Sequence, residues 1–145
     1  MKIYVINGPN INMLGIREPD FYGHDTYENL LKIIDDHSKW LEIECLCYQS
    51  NHEGDLVDKI QEAYFEGADG IVINPGAYTH TSIALLDAIK AVNLPTVEVH
   101  ISNVEKRERF RRKSYIRKAC VKTISGIGIE GYIDGINYLY ELLRK

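Results

Sequence analysis

Gly70-Ile71-Val72-Ile73-Asn74-Pro75-Gly76-Ala77-Tyr78-Thr79-His80-Thr81-Ser82 runs directly into Ile83-Ala84-Leu85-Leu86-Asp87-Ala88-Ile89. The opening apolar run reads as a strand buried on both faces of a parallel sheet. The apolar residues from Ile83 onward recur at helical spacing. Asn74 to Ser82 is therefore a strand-to-helix turn, tightened by Pro75-Gly76, with Thr79, Thr81 and Ser82 offering hydroxyls to cap the helix. In an open α/β sheet such a turn lies at the carboxyl end of a strand, in the crevice where ligands bind. Asn74 and His80 are not needed for turning or capping. Asn74 either satisfies backbone groups at the strand end or faces a ligand, and His80 is either a surface residue or part of a site.

The same alternation extends to both sides. Residues 2–6 form a first strand, stopped by Gly8-Pro9 ahead of Asn10 and Asn12. Residues 13–25 lack periodicity and contain Gly15, Pro19 and Gly23, and an irregular stretch of that length inside a small domain is often a lid. Thr26 caps a helix reaching Leu41, residues 42–48 read as a second strand, and a helix carrying Leu56, Val57, Ile60, Ala63 and Tyr64 stops at Gly67. After the central turn, a helix to Val92 leads to a fourth strand at 96–100, then a basic run at 106–113, a fifth strand at 119–125, and a last helix opened by Gly126 and Gly128. Five strands alternating with helices predict a parallel sheet covered on both faces. At this size the expected fold is a flavodoxin-like three-layer α/β sandwich of strand order 2-1-3-4-5, one domain over 1–145.

Composition narrows the function. The 145 residues are 45% hydrophobic and 26% charged, ordinary for a globular domain, and the net charge of -4 argues against general nucleic-acid binding. No run approaches the ~18 apolar residues of a membrane span. The start of the chain has no signal-peptide pattern, so a cytoplasmic protein is expected. Cys45, Cys47 and Cys120 lack metal-ligand spacing; Cys45 and Cys47 alternate on a strand and are expected to pack in the core.

Three strand ends deliver Asn10 and Asn12, Asn74 and His80, and Glu98, His100 and Ser102 to one rim. Strand alternation puts Glu98 and His100 on the same side, and a carboxylate beside an imidazole can orient it for acid or base work. The scattered histidines supply no metal-binding set. There is no Walker lysine and no Gly-x-Gly-x-x-Gly after the first strand.

Asn7-Gly8-Pro9-Asn10, Arg17-Glu18-Pro19 before Tyr22-Gly23, Asn74-Pro75-Gly76-Ala77 before Thr79-His80-Thr81-Ser82, Glu98-Val99-His100-Ile101-Ser102-Asn103, and Phe110-Arg111-Arg112 before Ser114-Tyr115 occur in that order. Together they resemble the type II 3-dehydroquinate dehydratases over essentially the whole length. The resemblance implies a hydro-lyase of the shikimate pathway that converts 3-dehydroquinate reversibly to 3-dehydroshikimate, by trans elimination through an enolate and without a cofactor. The same step in quinate breakdown, or a non-catalytic module binding an anionic metabolite at the same rim, is the alternative.

The resemblance also implies roles. Tyr22 matches the base and Arg17 the lid arginine beside it, whose charge favours the phenolate over the usual pKa of ~10. His100 matches the general acid, Glu98 the carboxylate that orients it, and Asn10 the group that stabilises the enolate through water. Asn74 and the amides of Ile101 and Ser102 match the substrate carboxylate site, and His80 and Arg111 match contacts to ring hydroxyls. Asp87 matches a residue reaching a neighbouring subunit's site. The other basic residues of 106–113 are expected on a solvated face or in subunit contacts. Assembly as trimers forming a dodecamer is implied, with no nucleic acid or membrane partner.

Overall fold

All strand pairings are parallel, in the order β2-β1-β3-β4-β5. The computed structural model describes residues 1–16 and 25–145. Arg17, Tyr22 and most of the expected lid lie outside the described residues. The strands are β1 (Lys2–Asn7), β2 (Glu44–Gln49), β3 (Gly70–Asn74), β4 (Thr96–His100) and β5 (Lys122–Ser125). The helices are α1 (Tyr27–Leu41), α2 (Glu53–Phe65), α3 (Ile83–Val92) and α4 (Glu130–Leu143). This is the flavodoxin-like arrangement that the alternation of elements predicts.

Side-chain alternation divides the interior in two. Ile3, Val5, Val72, Val97 and Val99 face α1 and α4, where Leu30, Ile34, Tyr132, Ile136 and Leu139 are buried. Tyr4, Ile6, Ile71 and Ile73 face α2 and α3, against Leu56, Ile60, Leu85 and Ile89. Glu98 and His100 fall on the second face because they are in phase with Thr96 rather than with Val97 and Val99. The sheet therefore presents this polar pair where an apolar residue would otherwise sit, at the end of a strand buried throughout.

The ends of the elements follow local chemistry. The Thr26 hydroxyl accepts from the Asn29 amide at 3.1 Å and starts α1. Glu42, read from sequence as the start of β2, instead takes a left-handed conformation with φ 58° and closes α1. The fifth strand also begins later than expected. Ile116–Ala119 forms a 3-10 turn that buries Ile116 beneath α3, and Val121 then joins the sheet by donating to the Thr96 carbonyl at 2.8 Å. Of the cysteines, Cys45 packs on the core, but Cys47 is exposed because β2 is an edge strand.

Candidate active site

The carboxyl ends of β1 and β3 are locked together by two glycines. The Gly8 amide donates to the Asn74 carbonyl at 2.8 Å. A Cβ on Gly8 would fall 2.3 Å from the Pro75 carbonyl oxygen, and one on Gly76, where φ is +60°, would fall 3.0 Å from that of Pro9. Gly8-Pro9 and Pro75-Gly76 thus interleave so closely that only backbone fits between them. Asn10 leaves this junction in a left-handed conformation (φ 69°) that asparagine tolerates, and its amide donates to Asn51 Oδ1 at 3.0 Å. Asn10 and Asn74 both line one cavity at this junction.

Both readings of Asn74 are combined in one side chain. It is 3% exposed, its Oδ1 accepts from the Gly76 amide at 3.1 Å, and its Nδ2 donates to the Tyr132 hydroxyl at 2.8 Å. It also lines the cavity.

At the floor, the wholly buried Glu98 holds His100 through an Oε2 to Nε2 hydrogen bond. The Thr79 and Ser114 hydroxyls reach that same Oε2 at 2.9 and 2.8 Å, and lie 2.7 Å from each other. Burial pushes the Glu98 carboxyl up, but the hydrogen bond and charge of His100, with the two hydroxyls, outweigh it and hold the group below the ordinary carboxylate range. An ionised carboxylate only accepts, so Nε2 of His100 carries a proton and Nδ1 is the nitrogen left for the cavity that His100 lines. Thr79 was expected to help cap α3; Ser82 alone does so, accepting from the Leu85 amide at 2.9 Å.

The basic segment docks onto this floor. His80 Nδ1 donates to the Lys113 carbonyl at 2.6 Å, and the Tyr115 amide donates to the Thr79 carbonyl at 2.9 Å. A carbonyl can only accept, so His80 carries its proton on Nδ1 and turns an accepting Nε2 toward other groups. Burial lowers the pKa of His80, and the nearby charges of His100 and Arg111 lower it further. Arg111 Nε is 3.0 Å from Glu108 Oε2. Arg107, read from sequence as part of a solvated or subunit-facing run, is 7% exposed, donates from Nη1 to Ser102 Oγ at 3.4 Å and lines the cavity.

The cavity measures about 170 Å³ and draws Asn10, Asn74, His80, His100, Ser102, Arg107 and Arg111 together. It is smaller than the ~300–1,000 Å³ of drug-sized sites, so it suits a ligand on the order of one ring. Ile101 is buried at the end of β4, and among the described residues the Ile101 and Ser102 amides donate to no backbone carbonyl. Asp87 is exposed on α3 and is not among the residues lining the cavity of the single chain. Thr79, Ser114 and Arg107 are the site residues that the sequence did not single out. Thr79 and Ser114 were legible only as members of the Thr79-His80 and Ser114-Tyr115 motifs, and Arg107 was indistinguishable from its basic neighbours. Among the described residues no cluster of three or more histidine, cysteine, aspartate or glutamate side chains could hold a metal ion, and no helix is long and apolar enough to cross a membrane.

Residues 1–140 match the family described as Dehydroquinase class II. The chain belongs to the class II dehydroquinases. A relative from Caldicellulosiruptor saccharolyticus named 3-dehydroquinate dehydratase is 57% identical over 142 residues, 98% of each chain. One of the same name from Clostridium acetobutylicum is 57% identical over 145 residues, covering all of both chains. The crystal structure of type II dehydroquinase from Butyrivibrio crossotus superposes with a TM-score of 0.96 at 56% identity, covering 97% of each chain. In this class II dehydroquinase, the Asn-Gly-Pro-Asn turn, the Asn-Pro-Gly turn and the Glu-Val-His strand end all contribute to one cavity or to its floor.

Proposed function

We propose that the cavity carries out the dehydration of 3-dehydroquinate to 3-dehydroshikimate, a hydro-lyase reaction of aromatic biosynthesis. The observation that carries this assignment is the buried Glu98 and His100 pair under a rim of Asn10, Asn74, His80 and Arg111, in a chain whose close relatives bear the name 3-dehydroquinate dehydratase.

Loss of water next to a ketone requires a base for the carbon acid, stabilisation of the enolate, an acid for the departing hydroxyl and an anchor for the substrate carboxylate. Tyr22 is the proposed base, and the guanidinium of Arg17 favours its phenolate. Both assignments rest on the sequence motif. Asn10, which lines the cavity, is the proposed stabiliser of the enolate oxygen through water, a contribution that is usually among the largest in such reactions. His100 is the acid: with Nε2–H fixed on Glu98, a proton on Nδ1 passes to the leaving hydroxyl as the carbon–oxygen bond breaks and the enolate electrons form the new double bond. Glu98 holds the ring in that orientation and balances its charge. Asn74 with the Ile101 and Ser102 amides is the proposed carboxylate anchor. The accepting Nε2 of His80 and the donors of Arg111 suit ring hydroxyls.

Every proton in this sequence is handled by a side chain, so no cofactor is required. Asp87 is exposed on α3 and is proposed to serve a neighbour's site, and we assign the protein a homo-oligomer of trimers forming a dodecamer in the cytoplasm, each chain one catalytic domain. Mixing the protein with 3-dehydroquinate and following ultraviolet absorbance tests the assignment. A rising signal from the conjugated enone carboxylate, undiminished after borohydride treatment in substrate, supports it. A folded sample that gives no signal contradicts it, and one silenced by borohydride points to lysine imine chemistry instead.

A further inference from the structure

We infer that Tyr132, a residue of α4 that does not line the cavity, is a positioning residue for substrate binding: its hydroxyl fixes the Asn74 amide so that the cavity meets a hydrogen-bond donor. Tyr132 is fully buried, and no residue of the acid pair touches it among its hydrogen bonds. Its place follows from the glycines around it. A Cβ on Gly131 would lie 3.2 Å from Val99 Cγ1, so the first turn of α4 rests directly on β4 and brings the phenol to the ends of β1 and β3.

The hydrogen bonds there run in one direction. The single proton of the Tyr132 hydroxyl goes to Asn7 Oδ1 at 2.6 Å, which leaves the oxygen to accept from Asn74 Nδ2 at 2.8 Å. Asn74 Oδ1 in turn accepts from the Gly76 amide at 3.1 Å, and a backbone amide can only donate. Asn7 and Asn74 pair across β1 and β3 in register, and both side chains are buried. With Oδ1 and one Nδ2 hydrogen committed, the polar group Asn74 has left for the cavity is its second amide hydrogen. That matches a ligand presenting an acceptor, such as a carboxylate oxygen, and disfavours a ligand presenting a donor, which would leave two donors opposed. Removing the hydroxyl leaves, among the described residues, the Gly76 amide as the remaining hydrogen-bond partner of the Asn74 side chain, so the anchor loosens while the acid pair is undisturbed.

The inference rests on the anchor role proposed for Asn74, and steady-state kinetics on 3-dehydroquinate separate the two. Tyr132→Phe is expected to raise KM about tenfold with kcat little changed. Asn74→Ala raises KM at least as much, and the double variant is no worse than Asn74→Ala alone, because the hydroxyl acts only through that amide. A purely structural role for Tyr132 predicts instead a fall in kcat with the fraction of folded protein, at normal KM. Normal KM in Tyr132→Phe, or additive effects in the double variant, overturns the inference; normal KM in Asn74→Ala overturns the anchor assignment itself. Should Tyr132→Phe fail to fold, Asn7→Ala tests the same chain of bonds. The freed hydroxyl proton can then turn toward Asn74 Nδ2, so a raised KM is expected, and an unchanged KM overturns the inference.

Discussion

The Ser114 hydroxyl donates at 2.8 Å to the same oxygen of Glu98 that holds His100. Ser114 belongs to the segment that carries Arg111, so a residue proposed to grip the substrate and the residue proposed to protonate it are tied to one carboxylate oxygen. Thr79, from the turn after β3, completes the contact at 2.9 Å. The acid is therefore held by three separate parts of the chain.

Ser114→Ala should lower kcat about tenfold, since a hydrogen bond to a charged group contributes roughly 1.5–3 kcal/mol. Ser114→Thr keeps the hydroxyl and should retain most of the activity. Equal kcat in Ser114→Ala and the parent protein would show that the hydroxyl does not orient the pair.

Glu98 should also mark the acid stability of the protein. Its folded pKa lies below its ordinary value of 4.5. Its contribution is thus fully present above that value and is lost as pH falls through the lower folded value. Melting temperature measured from pH 7 to pH 3 should fall more steeply below 4.5 in the parent than in Glu98→Gln. Parallel curves would mean that the carboxylate is not stabilised by folding.

Gly8 and Gly54 form a matched pair for the junction of β1 and β3. An alanine Cβ at Gly8 meets the Pro75 carbonyl oxygen at 2.3 Å, whereas at Gly54, near the start of α2, nothing lies within 4 Å. Gly8→Ala should cost about 2–3 kcal/mol and impair turnover by prying apart the two turns that carry Asn10 and Asn74. Gly54→Ala should be neutral or stabilising by up to ~1 kcal/mol. Urea denaturation midpoints check both, and similar midpoints for the two variants would contradict the close packing described.

Tyr22→Phe should abolish turnover while sparing substrate binding, because the phenol is needed as a base and the ring remains. Calorimetric titration with substrate alongside the absorbance assay distinguishes the two effects. Near-normal turnover would remove Tyr22 from the mechanism.

Much of this architecture was legible in the chain because it depends on local patterns. The Gly70 to Asn74 run, the Thr26 cap and the phase of Glu98 and His100 each follow from residue types within a few positions. What was not legible depends on long-range partners. Thr79 has the same hydroxyl as the capping residue Ser82, and only the fold reveals that Glu98, 19 positions away, claims it. Tyr132 reads as one more apolar position of α4, since its partners lie 58 and 125 residues distant. β5 starts later than its residue types suggest because burying Ile116 under α3 outweighs the strand propensity of the residues after it. Burial of Arg107 likewise came from folding, as a run of like charges gives no internal sign of which member turns inward.

His100, held by Glu98, is the residue proposed to protonate the leaving hydroxyl in the cavity. The most direct measurement compares the initial rate of enone formation from 3-dehydroquinate in the parent protein and in His100→Ala, with substrate binding followed in parallel. The expected result is a loss of roughly 10²–10⁴-fold in kcat with binding largely kept, the usual contribution of a positioned acid. A variant that turns over at near the parental rate would contradict it.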